Sequence, residues 1–439
     1  MNERILKSSV SIAALLTTIV ASPAFAQDDL ARDEITVTGS FVKTRSQADQ
    51  ISPITSIGAD ELSDVAAFNP ADLVNTLTVN AGAQNNADGF NQSNSIGTTN
   101  INLRGLGVSS TLVLLNGRRQ TQSAAATLTG DQFVDLNSLV PTIALDRVEI
   151  LEDGATALYG SDAVAGVVNF LTRDTFTGFE ANANFVTSTE DSQRDVQASV
   201  LWGGEWGGAN LIAAFSFFDR TDLLAAERSD EFEQRNALST FGQPGTFLPL
   251  AGPNAFQRQP DPACAATAET DPSVVGIIPA GPIAGTCQFD FGDFFTLVAD
   301  EQRFQGYTKF TYDAGVVRIA IDGGYTANDI EAKTTPSQPI LFPEVITPAN
   351  PGNLSGFPEL FFGRVLGAGS APFTDTYESD TWRISAVVSG DLNDTWSWEA
   401  GFVRAQNQYD TVRSDTAVDR FQAAIAGVGG PNNDQFFNP

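Results

Sequence analysis

Histidine is absent from this 439-residue chain, and methionine occurs once. Without imidazole there is no Ser-His-Asp triad, no His-based acid–base step, and none of the commonest metal and haem ligand. The two cysteines, Cys264 and Cys287, are too few for a disulfide scaffold. Basic residues are scarce, 24 against 53 acidic ones, for a formal net charge of −29. Such a surface repels phosphate and argues against a nucleic-acid partner. The same charge serves solubility in exposed loops, or draws cationic ligands and divalent ions; the sequence leaves both open. No segment after the N-terminus is an apolar run of the roughly 20 residues that a membrane helix needs. That excludes a helical inner-membrane protein and leaves soluble exported and β-barrel readings. No catalytic constellation is visible, so neither an enzyme nor a cofactor is expected.

What is present starts with an export signal. Arg4 and Lys7 precede an apolar stretch from Val10 to Ala21, and Ala24-Phe25-Ala26 forms a cleavage site before Gln27. Residues 1–26 are therefore expected to be a signal peptide, and 27–50 a polar mobile segment. Export exposes Cys264 and Cys287 to oxidation. They are expected to pair and close a loop of about 24 residues, with two free thiols as the alternative.

Residues 51–175 read as a compact mixed α/β domain. Ile51–Ile57 suits a strand, Asp60-Glu61-Leu62 opens a helix, and Asn69-Pro70 is an N-cap with proline at the first helical position. Thr111–Leu115 is a continuous apolar run that predicts a buried strand, and Asn116-Gly117 predicts a tight hairpin turn after it. Strands are also expected over 145–151 and 164–171. Residues 83–100 and 120–131 are polar, small and aperiodic, and read as loops.

From about 176 the texture changes. Stretches of alternating polarity recur, such as Phe179-Ala181-Ala183-Phe185 against Glu180-Asn182-Asn184, and Val317-Ile319-Ile321 against Arg318-Asp322. Roughly ten-residue segments of this kind, separated by turns, are the transmembrane-barrel pattern, although a soluble β-sandwich alternates too. Trp396, Trp398, Tyr307, Tyr325 and Trp382 suit an aromatic girdle. Long aperiodic insertions at about 227–300 and 331–378, rich in Pro, Gly, Phe and acid, suit external loops.

Three stretches carry more specific information. One is Glu34-Ile35-Thr36-Val37-Thr38-Gly39-Ser40. Another is Asn102-Leu103-Arg104-Gly105-Leu106-Gly107, continuing through Leu112–Arg119. The third is Arg147-Val148-Glu149-Ile150-Leu151-Glu152-Asp153-Gly154-Ala155-Thr156-Ala157-Leu158-Tyr159-Gly160-Ser161-Asp162-Ala163-Val164-Ala165-Gly166-Val167-Val168-Asn169-Phe170. Together they closely resemble the plug-domain signature of TonB-dependent outer-membrane receptors. Gly-x-Gly at 105–107 lacks the third glycine and following helix of a nucleotide fingerprint.

The resemblance implies an α+β plug domain followed by antiparallel transmembrane β-barrel strands, with the barrel incomplete in this chain. Twenty-two strands need about 220 residues before any turns, and only some 260 follow the plug, room for perhaps eight to ten strands beside the insertions. It also implies an outer-membrane location in contact with lipid, and no nucleic acid. Glu34, Ile35, Thr36, Val37 and Thr38 would form the TonB box, pairing as an added strand with TonB of the inner-membrane energising complex. Arg104, Arg118, Arg147, Glu149 and Glu152 are expected to meet charges on the barrel wall. Asn91, Gln92, Asn94, Gln122 and Ser123 are expected to touch a small-molecule or metal-chelate substrate. A ferric siderophore is the modal family substrate; relatives import cobalamin, nickel complexes and oligosaccharides. A surface receptor or adhesin anchored by its barrel is the rival reading.

Overall fold

The computed structural model describes residues 38, 54–64, 70–83, 94–153, 155–189, 193–228, 238–341, 344–393, 396–432 and 434–437. The expected signal peptide, and all of the 34–38 segment except Thr38, lie outside them. Among the described residues no helix is long and apolar enough to cross a membrane.

The N-terminal unit is built on a five-stranded mixed sheet. Its strands are β1 (Ile54–Gly58), β2 (Thr111–Leu115), β3 (Arg118–Arg119), β4 (Leu145–Leu151) and β5 (Gly166–Thr172), in the order β1-β4-β5-β2-β3. β2 is buried along its whole length and runs parallel to β5, as an unbroken apolar run requires of a strand covered on both faces. Asn116 and Gly117 have φ of 52° and 72°, the paired positive values of a type I′ turn, and bring Arg118 opposite Leu115. Gly166 sits where a Cβ would lie 2.4 Å from the Leu151 carbonyl oxygen, so only glycine lets β5 close against β4. Helices α1 (Ala59–Asp64) and α2 (Pro70–Thr76) cover one side.

Seven longer strands form the second unit: β6 (Gly178–Thr187), β7 (Arg194–Trp206), β8 (Ala209–Arg220), β9 (Asp300–Asp313), β10 (Val317–Thr334), β11 (Phe373–Asp391) and β12 (Ser397–Val412). Each pairs antiparallel with its chain neighbour, and β6 and β12 are the two edges of an open wall. Alternation sorts the side chains. Ile212, Ala214, Tyr307 and Thr326 are buried on the inner face, while Phe215, Phe304, Tyr325, Trp382 and Phe402 stand exposed on the outer one. The short connections at 207–208, at 314–316 and between β11 and β12 lie at one end, and the two long excursions between β8 and β9 and between β10 and β11 leave from the other.

The plug packs on the inner face. Leu201, Ile212, Ala214 and Tyr307 of the wall share one buried cluster with Leu103, Val113, Leu136, Val148 and Phe170 of the plug. Tyr307, expected in the aromatic girdle, is thus an inward residue that is 2 % exposed. Its period-two position on β9 decides this, since Gln305 and Lys309 point the same way.

The insertions are not plain loops, and they reduce the wall to seven strands. Thr246–Pro249 pairs with Glu359–Phe362, joining the two excursions, and Phe247, Ile346, Phe361, Phe421 and Ile425 form a core of their own. Aromatic side chains bury large areas, which lets aperiodic sequence build a small covered layer. A second core contains Val274, Phe289 and the Cys264–Cys287 disulfide, whose Cα atoms are 6.0 Å apart and whose sequence separation is 23. Closing a loop of that size stabilises by about 3 kcal/mol in the chain-entropy account. A Cys264→Ser/Cys287→Ser variant should therefore become protease-sensitive between 260 and 290 while the wall stays resistant. An unchanged digestion pattern would show that the disulfide does not hold this layer.

Candidate functional site

Beside the shared apolar cluster, the contact between plug and wall carries a set of polar bonds. Wall side chains donate to main-chain carbonyls of the plug. Gln305 Nε2 reaches Asn137 O at 2.9 Å, Asn328 Nδ2 reaches Gly97 O at 3.1 Å, and Tyr409 OH reaches Ile96 O at 2.9 Å. In the opposite sense, Ala124 N donates to Asn407 Oδ1 at 2.7 Å. Gly97 has φ of +81°, and a Cβ there would collide with Ile330, so the 94–100 segment lies flush on the wall. Amide and hydroxyl contacts satisfy buried carbonyls without the desolvation cost of charge. These bonds, with the shared apolar cluster, seat the plug on the wall.

A second group of contacts surrounds the Asn116-Gly117 turn. Asn116 Nδ2 donates to Tyr307 OH at 3.2 Å, and the Thr172 and Tyr307 hydroxyls lie 3.0 Å apart. Lys309 Nζ donates to Thr172 Oγ1 at 3.1 Å and pairs with Asp174 at 2.5 Å. Arg118 pairs with Glu399 on β12.

Of the five plug charges expected to face the wall, Arg118 alone does so. Arg104, with φ of 57°, donates to Ala165 O at 3.0 Å within the plug. Glu152 accepts from Thr55 Oγ1 at 3.0 Å. Arg147 pairs with Asp146 and with Glu149, whose side chain is 1 % exposed. These four find partners within the N-terminal part of the chain itself: Arg147 along its own strand, Glu152 on β1, Arg104 at the Ala165 carbonyl and Glu149 at Thr38.

Glu149 instead seats Thr38. Both the amide of Thr38, at 3.2 Å, and its hydroxyl donate to Glu149 Oε2. Asn169 Nδ2 donates to Thr38 Oγ1 at 2.9 Å, and Asn169 Oδ1 accepts from Gly117 N at 3.0 Å. Thr38 is 1 % exposed. The final residue of the 34–38 segment is therefore bonded, through Asn169, to the turn whose next residue grips the wall. Asn169 escaped sequence reading because it sits in an apolar strand, where a lone amide reads as a core residue.

The expected ligand loops divide. Asn91 and Gln92 lie outside the described residues. Asn94 and Gln122 are exposed, and Asn94 accepts from Arg413 at 3.4 Å. Ser123 is buried, and its Oγ accepts from Ala125 N at 3.1 Å, so it shapes its own turn and does not present a hydroxyl to a ligand. Among the described residues, no group of three or more carboxylates and cysteines is spaced to hold a metal ion.

One titratable group governs the 94–100 segment. Asp135, 2 % exposed, accepts from Thr99 N at 2.9 Å and Asn137 N at 3.1 Å. Burial pushes its carboxyl up to about 7, opposed by those two N–H groups and by Arg303, while Glu301 adds to the rise. The folded protein thus takes up a proton that the unfolded chain, near 3.8, does not. Its contribution to stability is fully present below the unfolded value and is lost as pH rises through about 7. The difference in thermal midpoint between wild type and Asp135→Asn should therefore change between pH 4 and pH 7 and be flat above. A constant difference across that range would refute the assignment.

Residues 46–167 match the TonB-dependent receptor plug domain. The chain is 28 % identical over 189 residues to an iron-regulated outer membrane virulence protein of Vibrio cholerae, a match covering 42 % of this chain and 27 % of that protein. It is 29 % identical over 167 residues to the vitamin B12 transporter BtuB of Photobacterium profundum, covering 38 % and 25 %. These matches span about a quarter of the curated relatives' length. Among solved structures, a ferric enterobactin receptor of Pseudomonas aeruginosa aligns with a TM-score of 0.49 at 13 % identity, over 88 % of this chain and 43 % of that one.

Proposed function

We propose that this chain, which belongs to the TonB-dependent outer-membrane receptors, serves energy-coupled uptake of a scarce nutrient, with a ferric siderophore as the substrate. The observation that carries the reading is the seating of Thr38 on Glu149 and Asn169. A passive anchor has no use for an N-terminal segment tied into the core of a plug. In the proposed cycle, substrate engages the exposed amides of Asn94 and Gln122 on the side of the folded external layer. The bonds to Gln305, Asn328 and Tyr409 are neutral, so water can replace them without stranding a charge. Loosening of the Asn116-Gly117 turn reaches Asn169 and frees Thr38, and TonB takes up residues 34–38 as an added strand.

An iron-regulated relative supports the siderophore, and the vitamin B12 transporters support cobalamin as a second reading. The test is uptake by outer-membrane-competent cells expressing the full-length receptor, with and without TonB. Radiolabelled ferric catecholate and hydroxamate siderophores and labelled cobalamin are compared. Accumulation of one ferric chelate that disappears without TonB is the expected result. TonB-dependent cobalamin uptake would replace the substrate. Surface binding with no accumulation of any of these would favour the adhesin reading and overturn transport.

A further inference from the structure

The contacts around Thr172 and those around Thr38 are two ends of one chain of hydrogen bonds, and its donors are decided by chemistry. Lys309 of β9 has only N–H groups to offer, and its Nζ donates to Thr172 Oγ1 at 3.1 Å. The Thr172 amide, which also can only donate, reaches Asn116 Oδ1 at 3.0 Å. The Asn116 side chain therefore has one orientation, with its oxygen toward Thr172 and Nδ2 toward Tyr307. Thr172 Oγ1 lies 3.1 Å from that oxygen and gives its one hydrogen there. Tyr307 OH, 3.0 Å from Thr172 Oγ1, is then the donor of that pair and the acceptor for Asn116 Nδ2. Asn116, Thr172 and Tyr307 close a ring in which each hydrogen has one place.

The same logic continues across the turn. Gly117 N donates to Asn169 Oδ1 at 3.0 Å, which leaves Asn169 Nδ2 to donate to Thr38 Oγ1 at 2.9 Å. The Thr38 hydroxyl passes its own hydrogen to Glu149, which is 1 % exposed. The Asn116-Gly117 peptide is the joint between the two halves. The side chain of its first residue belongs to the ring on the wall, and the amide of its second holds Asn169. A rotation at this turn breaks both. The chain begins at a buried cation on the wall and ends at a buried carboxylate beneath Thr38. Bonds aligned in this way polarise one another, so each is strengthened by about 10–30 %. Nothing at Thr38 itself touches the wall, yet every bond that orients its seat leads back to Tyr307 and Lys309.

We propose that Tyr307 and Lys309 are positioning residues through which the wall sets how tightly Thr38 is held in the absence of substrate. The inference rests on residues 34–38 being the segment that TonB takes up, and the test separates the two. Hydrogen exchange at the Thr38 amide and affinity for the purified periplasmic domain of TonB are both measured on the full-length receptor without substrate. Tyr307→Phe keeps the ring in the shared apolar cluster and removes the hydroxyl. Thr38 exchange and TonB affinity should each rise about fivefold, the factor for one net hydrogen bond. The Thr99 amide, bonded to Asp135 elsewhere on the plug, should keep its protection. Thr172→Ser retains the junction and should match wild type. Thr172→Val should match Tyr307→Phe, and it replaces that variant where no heat-modifiable barrel forms. Asn169→Ala opens the seat directly, so adding Tyr307→Phe to it should change neither reading. Unchanged Thr38 exchange in Tyr307→Phe and Thr172→Val overturns the relay. So does an effect that simply adds to that of Asn169→Ala, or an equal loss of protection at Thr99. Faster Thr38 exchange with no tighter TonB binding upholds the relay and removes residues 34–38 from the TonB role.

Discussion

Ile35→Pro should abolish energised uptake and leave substrate affinity unchanged. Strand addition takes its affinity from main-chain hydrogen bonds, so ordinary side-chain changes within 34–38 are expected to be mild. Proline differs because it removes an N–H and fixes φ. The substitution lies three residues before Thr38, whose own bonds to Glu149 and Asn169 are untouched. Whole-cell binding at low temperature separates from accumulation at growth temperature, and the variant should keep the first and lose the second. Ile35→Ala is the control and should retain most uptake. Wild-type accumulation by the proline variant would remove residues 34–38 from the coupling role.

The second large effect is expected inside the wall. Arg383 and Asp322 pair across β10 and β11 with side chains 6 % and 5 % exposed. Deleting one member of a buried pair strands the other charge and costs about 3–5 kcal/mol, whereas replacing both by apolar groups is often close to neutral. Asp322→Ala should thus lower the urea midpoint of the purified receptor sharply. Asp322→Leu/Arg383→Met should recover most of the loss. If the double variant is as unstable as the single one, the pair is not the reason.

The motif stretches were legible because their residue types have few structural alternatives. Thr111–Leu115 had to be a covered strand, and Asn116-Gly117 a I′ turn, from local chemistry alone. The plug charges were misread for a related reason. Arg104, Arg147, Glu149 and Glu152 looked available for a distant wall because nothing in the chain order announces which segments fold back to meet them. Their partners, Ala165, Asp146, Thr38 and Thr55, include residues up to 111 positions away. Tyr307 was misassigned because aromatic character suits a girdle and a buried hydroxyl network equally well, and only the strand's register chooses between faces.

The insertions show the same division. Pro, Gly and Phe within an aperiodic stretch exclude long strands, which the sequence states plainly. That Thr246–Pro249 finds Glu359–Phe362 in a different excursion, more than 100 residues later, depends on two wall hairpins ending at the same rim. By itself the sequence determined export, the plug signature and the period-two wall, because each is written in short-range patterns of polarity and turn chemistry. Tertiary structure decided which polar groups seat the plug and where Thr38 is held. Those outcomes rest on the register between strands far apart in the chain, and burial fixes that register only once both faces of the sheet are in place.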